Sequence, residues 1–319
     1  MAHQVESMFY VGETPWHKLG TVLPEAPTIR EAIVAAGLDW TVSTRALYLN
    51  QGDKMVAVDD AKAIVRDSDN SCLGVVGSRY VPLQNDVSFD FFQPFVDSKL
   101  VQLETAGSLQ NGKKIWVLAR IVDKGSDIQI AGDDVVRKFI MLSNSHDGST
   151  AIRVGFTPVR IVCANTLKAA HNSDVSRLLR IRHTRNAQSA LLDIQNAVDL
   201  INQEFSATAE LYRSMAAKQI NRSDLKAYVK VVLGHTDADD QLSTRAKNQI
   251  DRVISLFEYG RGNNLPGVKG TVWAAYNAVT EYLTHEATDN ADKRYSSLWF
   301  GQNSARNELA LNEAMKLAA

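Results

Sequence analysis

The stretch Phe139–Arg185 reads FIMLSNSHDGSTAIRVGFTPVRIVCANTLKAAHNSDVSRLLRIRHTR. An apolar strand, Phe139 to Leu142, runs into a turn at Ser145-His146-Asp147-Gly148-Ser149. A second strand follows from Ala151 to Phe156 and continues from Pro158 to Val162. Cys163-Ala164-Asn165-Thr166-Leu167 reads as the start of a short helix, and Ser176 to His183 as another strand. Between Arg153 and Arg185 stand seven Arg or Lys, at 153, 160, 168, 177, 180, 182 and 185, against one acid, Asp174. That net +6 lies in a chain whose total is −1, so the remainder sums to −7. A local basic excess on a neutral background is an electrostatic footprint, and phosphate is its commonest biological target.

Strands also dominate what precedes this stretch. Phe9, Tyr10 and Trp16 mark an aromatic, turn-rich arm that must pack on something. Thr28-Ile29-Arg30-Glu31 is a capping box, and the helix that it opens stops at Gly37. Val42 to Leu49 pairs with Met55 to Val58 across Asn50-Gln51-Gly52-Asp53, and Ala61 to Arg66 and Cys72 to Val76 continue the meander. Asn85 to Val96 reads as one helix with Val87, Phe91, Phe92 and Phe95 inward. Leu100 to Val122 is a hairpin turning at Asn111-Gly112, because a type I′ turn needs positive φ at both central residues. Ile128 to Ile130 and Val135 to Leu142 add two more strands.

After Arg185 the period changes to that of helices. Asn186 to Lys218 reads as a long amphipathic helix. Helices follow over Ser223 to Leu233, closed by Gly234, over Ser243 to Tyr259, over Thr271 to Glu286 and over Ser304 to Leu317. The expectation is an α+β protein. Residues 1–185 form an antiparallel sheet region with inserted short helices and the basic central segment, and residues 186–319 form a helical region.

Composition excludes several classes. With 45% hydrophobic and 22% charged residues over 319 positions, the chain is that of a globular protein with a substantial core. Two cysteines, Cys72 and Cys163, do not make a disulfide scaffold. No basic-then-apolar leader and no apolar run of ~18 residues is present, so a cytoplasmic protein without a membrane span is expected. No phosphate loop, metal-ligand cluster or nucleophile motif stands out, so no cofactor, no metal and no catalytic residue is expected. In Ser145-His146-Asp147, neighbours on a strand point to opposite faces and cannot orient one another. An Asp-Gly turn is the plainer reading. Cys163 with His171 lacks an oxyanion donor, and Gly260-Arg261-Gly262 ahead of Thr271 lacks the lysine and the βαβ setting of a nucleotide loop.

Four motifs carry a resemblance. They are Pro15-Trp16-His17-Lys18-Leu19-Gly20, the run Thr157 to Leu167 (TPVRIVCANTL), Arg182-His183-Thr184, and Gly270 to Tyr282 (GTVWAAYNAVTEY). Through them the chain resembles, over nearly its full length, a bacterial and phage domain of unknown function known as the phage/plasmid-like protein family. The resemblance implies a mobile-element gene and the cytoplasm of a bacterial host. At the level of architecture, a hairpin, a further strand, a helix behind them and a basic groove are similar to single-strand annealing recombinases of the RecT, Red beta and ERF type. That likeness implies a homo-oligomeric ring or filament that anneals DNA without nucleotide hydrolysis.

The leading expectation is therefore a non-enzymatic, mobile-element single-stranded DNA-binding protein. Its phosphate contacts would be Arg153, Arg160, Lys168, Arg177, Arg180, Arg182 and Arg185, with Lys113 and Lys114 at the hairpin tip. Two alternatives stand beside it. One is a protein-interaction or counter-defence factor that binds a host protein. The other is an enzyme in which Ser145, His146 and Asp147 would be the first residues to mutate. For the basic segment itself, the alternative is a solvated face of a half-buried sheet.

Overall fold

The computed structural model describes residues 5–12, 20–122, 127–160, 165–166, 180–196, 198–235, 237–287, 297 and 301–319. The fold is α+β, with an antiparallel-rich sheet region and a helical carboxy-terminal part. The chain divides into two compact units that interleave in sequence. The first comprises residues 1–123, 139–155 and 171–199, and the second residues 124–138, 156–170 and 200–319. The change from strands to helices near residue 185 therefore falls inside the first unit.

The main sheet of the first unit runs in the order β2 (Thr21–Leu23), β1 (Val5–Val11), β6 (Val101–Leu109), β7 (Lys114–Ile121), β9 (Asp134–Ser145), β10 (Ile152–Arg160) and β12 (Arg180–Ile181). Only β1 and β2 are parallel among the registers described. The aromatic arm is β1 itself, with Phe9 fully buried; Trp16 lies outside the described residues. Gln110, Asn111 and Gly112 all have positive φ between β6 and β7, so the turn is wider than a two-residue type I′ turn.

A smaller sheet orders as β3 (Val42–Gln51), β4 (Lys54–Arg66) and β5 (Cys72–Gly77). The separate strands expected at 55–58 and 61–66 are one strand with a register shift opposite Ala46/Leu47. Val42, Ile64, Leu73 and Val76 form its core, and Trp40 and Tyr80 pack against them. The helix α1 (Ile29–Ala35) carries the expected box, Glu31 N donating to Thr28 Oγ1 and Thr28 N to Glu31 Oε2. The single helix expected at 85–96 is two, α2 (Asn85–Asp90) and α3 (Gln93–Asp97). Pro94, in the first turn of α3, has no N–H for a continuous ladder. Helix α4 (Ala187–Asn196) closes this unit.

In the second unit, β8 (Asp127–Ala131) pairs with the first residues of β9, and the end of β10 pairs with β11 (Asn165–Thr166). Asn165 and Thr166 are thus strand, where a helix start was expected. Their backbone serves Val159 and Arg160, and the rest of that expected helix lies outside the described residues. Helices α5 (Val198–Ala217), α6 (Arg222–Leu233), α7 (Thr244–Tyr259), α8 (Val272–Glu281) and α9 (Gln302–Ala318) follow. The expected 186–218 helix is helical over α4 and α5, with residue 197 between them outside the description. Gly234 ends α6 at φ 79°, as its position indicated.

All ten residues of α8 are buried, the polar Asn277, Thr280 and Glu281 among them, so its apolar residues are not confined to one stripe. Trp273 stands at the centre, its Nε1 donating to Asp134 Oδ2 at 2.7 Å and its ring 4.7 Å from Tyr212. A π-helical turn, Tyr282–Glu286, continues directly from that helix. No helix among the described residues is long and apolar enough to cross a membrane.

Candidate functional site

The site lies in the first unit, where the segment after β5 runs beside the segment after β12. Val81 N donates to His183 O at 3.0 Å and fixes that adjacency. The turn from β9 to β10 forms the third wall. It can approach because Gly74 has no side chain: a Cβ there would stand 2.6 Å from Asp147 Cα. Gly148, at φ +73°, sits against Val76 in the same way. Together these segments bound a hollow of about 660 Å³ and an adjoining one of about 570 Å³, which share Ser78, Arg79 and Thr184.

The lining is basic. Lys62, Arg79, Arg182 and Arg185 face one carboxylate, Asp60. Among the described residues none of these four cations forms an ion pair. Ser149 and Thr150 add hydroxyls. Four uncompensated cations along a groove concentrate positive potential where a polyanion can run.

One wall is aromatic. Tyr80 stacks on His183 with ring centroids 4.5 Å apart at 23°, and its hydroxyl donates to Ser145 O at 2.5 Å. Burial, then the negative charge of Asp147, raises the Tyr80 phenol. Behind the wall His146 is fully buried. Asn85 Nδ2 donates to Leu38 O and Trp40 O, so Asn85 Oδ1 accepts from His146 Nε2 at 2.9 Å. His146 is therefore the neutral Nε2–H tautomer. Burial, reinforced by His183, pushes it down to about 3. Burial pushes His183 to about 4, against the upward pull of the Thr150 and Val81 carbonyls and Asp147.

Residues 72–314 match the family described as Domain of unknown function (DUF932), which is well over half of the chain. The chain belongs to the DUF932 family. Nothing among the curated proteins or among the solved structures matches it.

The DUF932 match takes in the whole groove except Asp60 and Lys62. Of the cations singled out in the sequence, Arg182 and Arg185 line the groove. Arg153 and Arg180 are directly opposite one another on β10 and β12, so they share a face, with Ile152 and Ile181 buried on the other. Arg160 lies opposite Asn165 in the second unit. Lys168 and Arg177 lie outside the described residues, as do Cys163 and His171. Lys113 is half-buried in the β6–β7 turn, and Lys114 is buried in β7 opposite Ser145.

Ser145 and His146 are buried, and Ser145 Oγ is engaged with Thr150, donating to its carbonyl at 2.8 Å. Asp147 accepts from Ser149 N at 2.9 Å, an Asx turn. Among the described residues no group of three or more His, Cys, Asp or Glu is placed to hold a metal ion. Sequence reading missed Lys62, Arg79 and Tyr80. Isolated residues carry no periodic signal: Lys62 stands inside β4 and Arg79 and Tyr80 follow β5, which the hydrogen bond from Val81 to His183, across 102 positions, sets beside the basic segment.

Proposed function

We propose that the groove of the first unit binds a single-stranded nucleic acid by its phosphodiester backbone. The chain then acts as a single-stranded DNA-binding protein of a phage or plasmid in the bacterial cytoplasm. Its resemblance to annealing recombinases extends the proposal to a homo-oligomer that anneals complementary strands without nucleotide hydrolysis. The observation that carries the reading is the set Lys62, Arg79, Arg182 and Arg185, unpaired among the described residues and bordering two adjoining hollows that share Arg79. Charge neutralisation there needs no base contact, so the bases stay free to pair.

The test is the salt dependence of the affinity of a labelled single-stranded oligonucleotide. Each neutralised phosphate contributes a slope of ~−0.7 in log affinity against log salt, so four contacts predict a slope of about −3. A slope near zero, or no binding at low salt, refutes the reading.

A second reading, a module that captures a host protein, is favoured by the β3–β4 hairpin. Tyr48, Leu49, Met55 and Val56 are exposed near its tip, and grouped exposed apolar side chains mark protein contacts. That reading expects no oligonucleotide affinity.

A further inference from the structure

The groove wall contains a group whose hydrogen-bonding needs the neutral protein does not meet. His183 is 7% exposed and lines the hollow, yet neither Nδ1 nor Nε2 has a partner within hydrogen-bonding distance and angle. Leaving buried polar atoms unserved is costly, so such a group calls for an explanation. Two backbone carbonyls, those of Thr150 and Val81, act on the ring and favour its charged form. A neutral imidazole has one N–H and one lone pair. It can turn an N–H toward one carbonyl only, and then presents a lone pair to the other. An imidazolium has an N–H on each nitrogen to offer.

What keeps the ring neutral is its surroundings. Burial opposes the charge. Arg79 and Arg182, in the same hollow, are like charges and oppose it too. Asp147, from the β9–β10 turn, is the nearby group that acts the other way. Asp60 lines the same hollow, Lys62 and Arg185 its neighbour, and Tyr80 covers one ring face. A phosphate oxyanion among Arg79, Arg182 and the hydroxyls of Ser149 and Thr150 would reverse that balance. It neutralises the arginines and adds negative charge beside the ring. Thr150 Oγ1 is itself buried without a hydrogen-bond partner, so the hollow holds a second unserved donor next to the first.

We propose that this hollow is a phosphodiester subsite in which His183 becomes an imidazolium as the ligand binds, so that each occupied groove takes up one proton. The inference rests on the strand-binding reading above and adds to it a specific position and a pH linkage. The groove is then more than a row of cations, because part of its charge appears only when it is loaded.

The experiment uses the full chain and a labelled oligo(dT), whose thymines and phosphodiesters do not titrate in the range used. Affinity is measured at constant salt from about pH 8 to about pH 6, and calorimetry in two buffers of different ionisation enthalpy counts protons. The wild type is expected to bind more tightly as pH falls, by up to about tenfold per pH unit, with close to one proton taken up. His183→Gln is expected to bind with a flat profile. The proton count in the wild type decides the matter if that variant does not fold. Strong binding that is flat with pH, or a pH dependence that persists in His183→Gln, overturns the linkage while the strand-binding reading stands. No binding at any pH overturns both.

Discussion

Replacing Trp273 with alanine is expected to destabilise the second unit by ~3–5 kcal/mol, the range for removing a fully buried large aromatic. Trp273 has no exposed surface and packs among Tyr212 and Tyr276, themselves fully buried. Its helix, α8, is buried on every side, so no face of it can relax toward solvent to fill the space. The indole N–H also donates to Asp134, which is wholly buried. Trp273→Phe separates the two contributions. It keeps most of the ring volume and removes the donor, so about 1–3 kcal/mol is expected. Urea unfolding followed by circular dichroism measures both. A loss below ~1 kcal/mol for the alanine variant would mean that α8 is not the centre of that core.

Acid is expected to destabilise the first unit from about pH 6.5 downward, starting above the range in which carboxylates titrate. His146 and His183 have ordinary values of 6.5 that folding lowers to about 3 and about 4. The unfolded chain therefore binds protons that the folded chain refuses. Stability from these rings is complete above about pH 6.5. It is lost as pH falls toward 4 for His183 and toward 3 for His146. At ~1.4 kcal/mol per pH unit, His183 accounts for on the order of 3 kcal/mol over its interval and His146 for on the order of 5 kcal/mol. Thermal midpoints from about pH 7 to about pH 4 should fall steadily, and His146→Gln should flatten part of the fall. If wild-type midpoints hold to about pH 4.5, the rings are not held neutral. An oligonucleotide should restore some of the lost stability, since the loaded groove accepts the His183 proton.

Local rules were legible where the chemistry is local. The Thr28–Glu31 box and the Gly234 stop each depend on residues within a few positions, and each forms as read. Expectations that depended on distant partners fared differently. Asn165 and Thr166 follow helix-like neighbours but are claimed by the backbone of Val159 and Arg160. The apolar spacing at 85–96 fits one helix, yet the chain breaks at Phe91 and Phe92, which pack edge-on at 5.0 Å. His146 reads as a turn residue. It is buried because Asn85, 61 positions earlier, hydrogen-bonds its ring.

The groove divides along the same line. Charge concentration marked Arg182 and Arg185, because net charge is a property of a window of sequence. Lys62 and Arg79 are isolated cations in mixed surroundings, and only the pairing of β4 with β5 and the bond from Val81 to His183 bring them to the basic segment. Phe139 is buried, and the ring at the groove is Tyr80.

The most direct measurement compares two charge-matched triple variants in oligonucleotide binding at about 0.1 M salt. Arg79→Ala/Arg182→Ala/Arg185→Ala strips the groove. Arg222→Ala/Arg245→Ala/Lys247→Ala removes as much charge from exposed positions on α6 and α7, none of them lining the groove. Binding along the groove predicts a loss of about 100-fold for the first variant, from three phosphate contacts, and little change for the second. Equal losses in the two, or an unchanged affinity in the first, would contradict it.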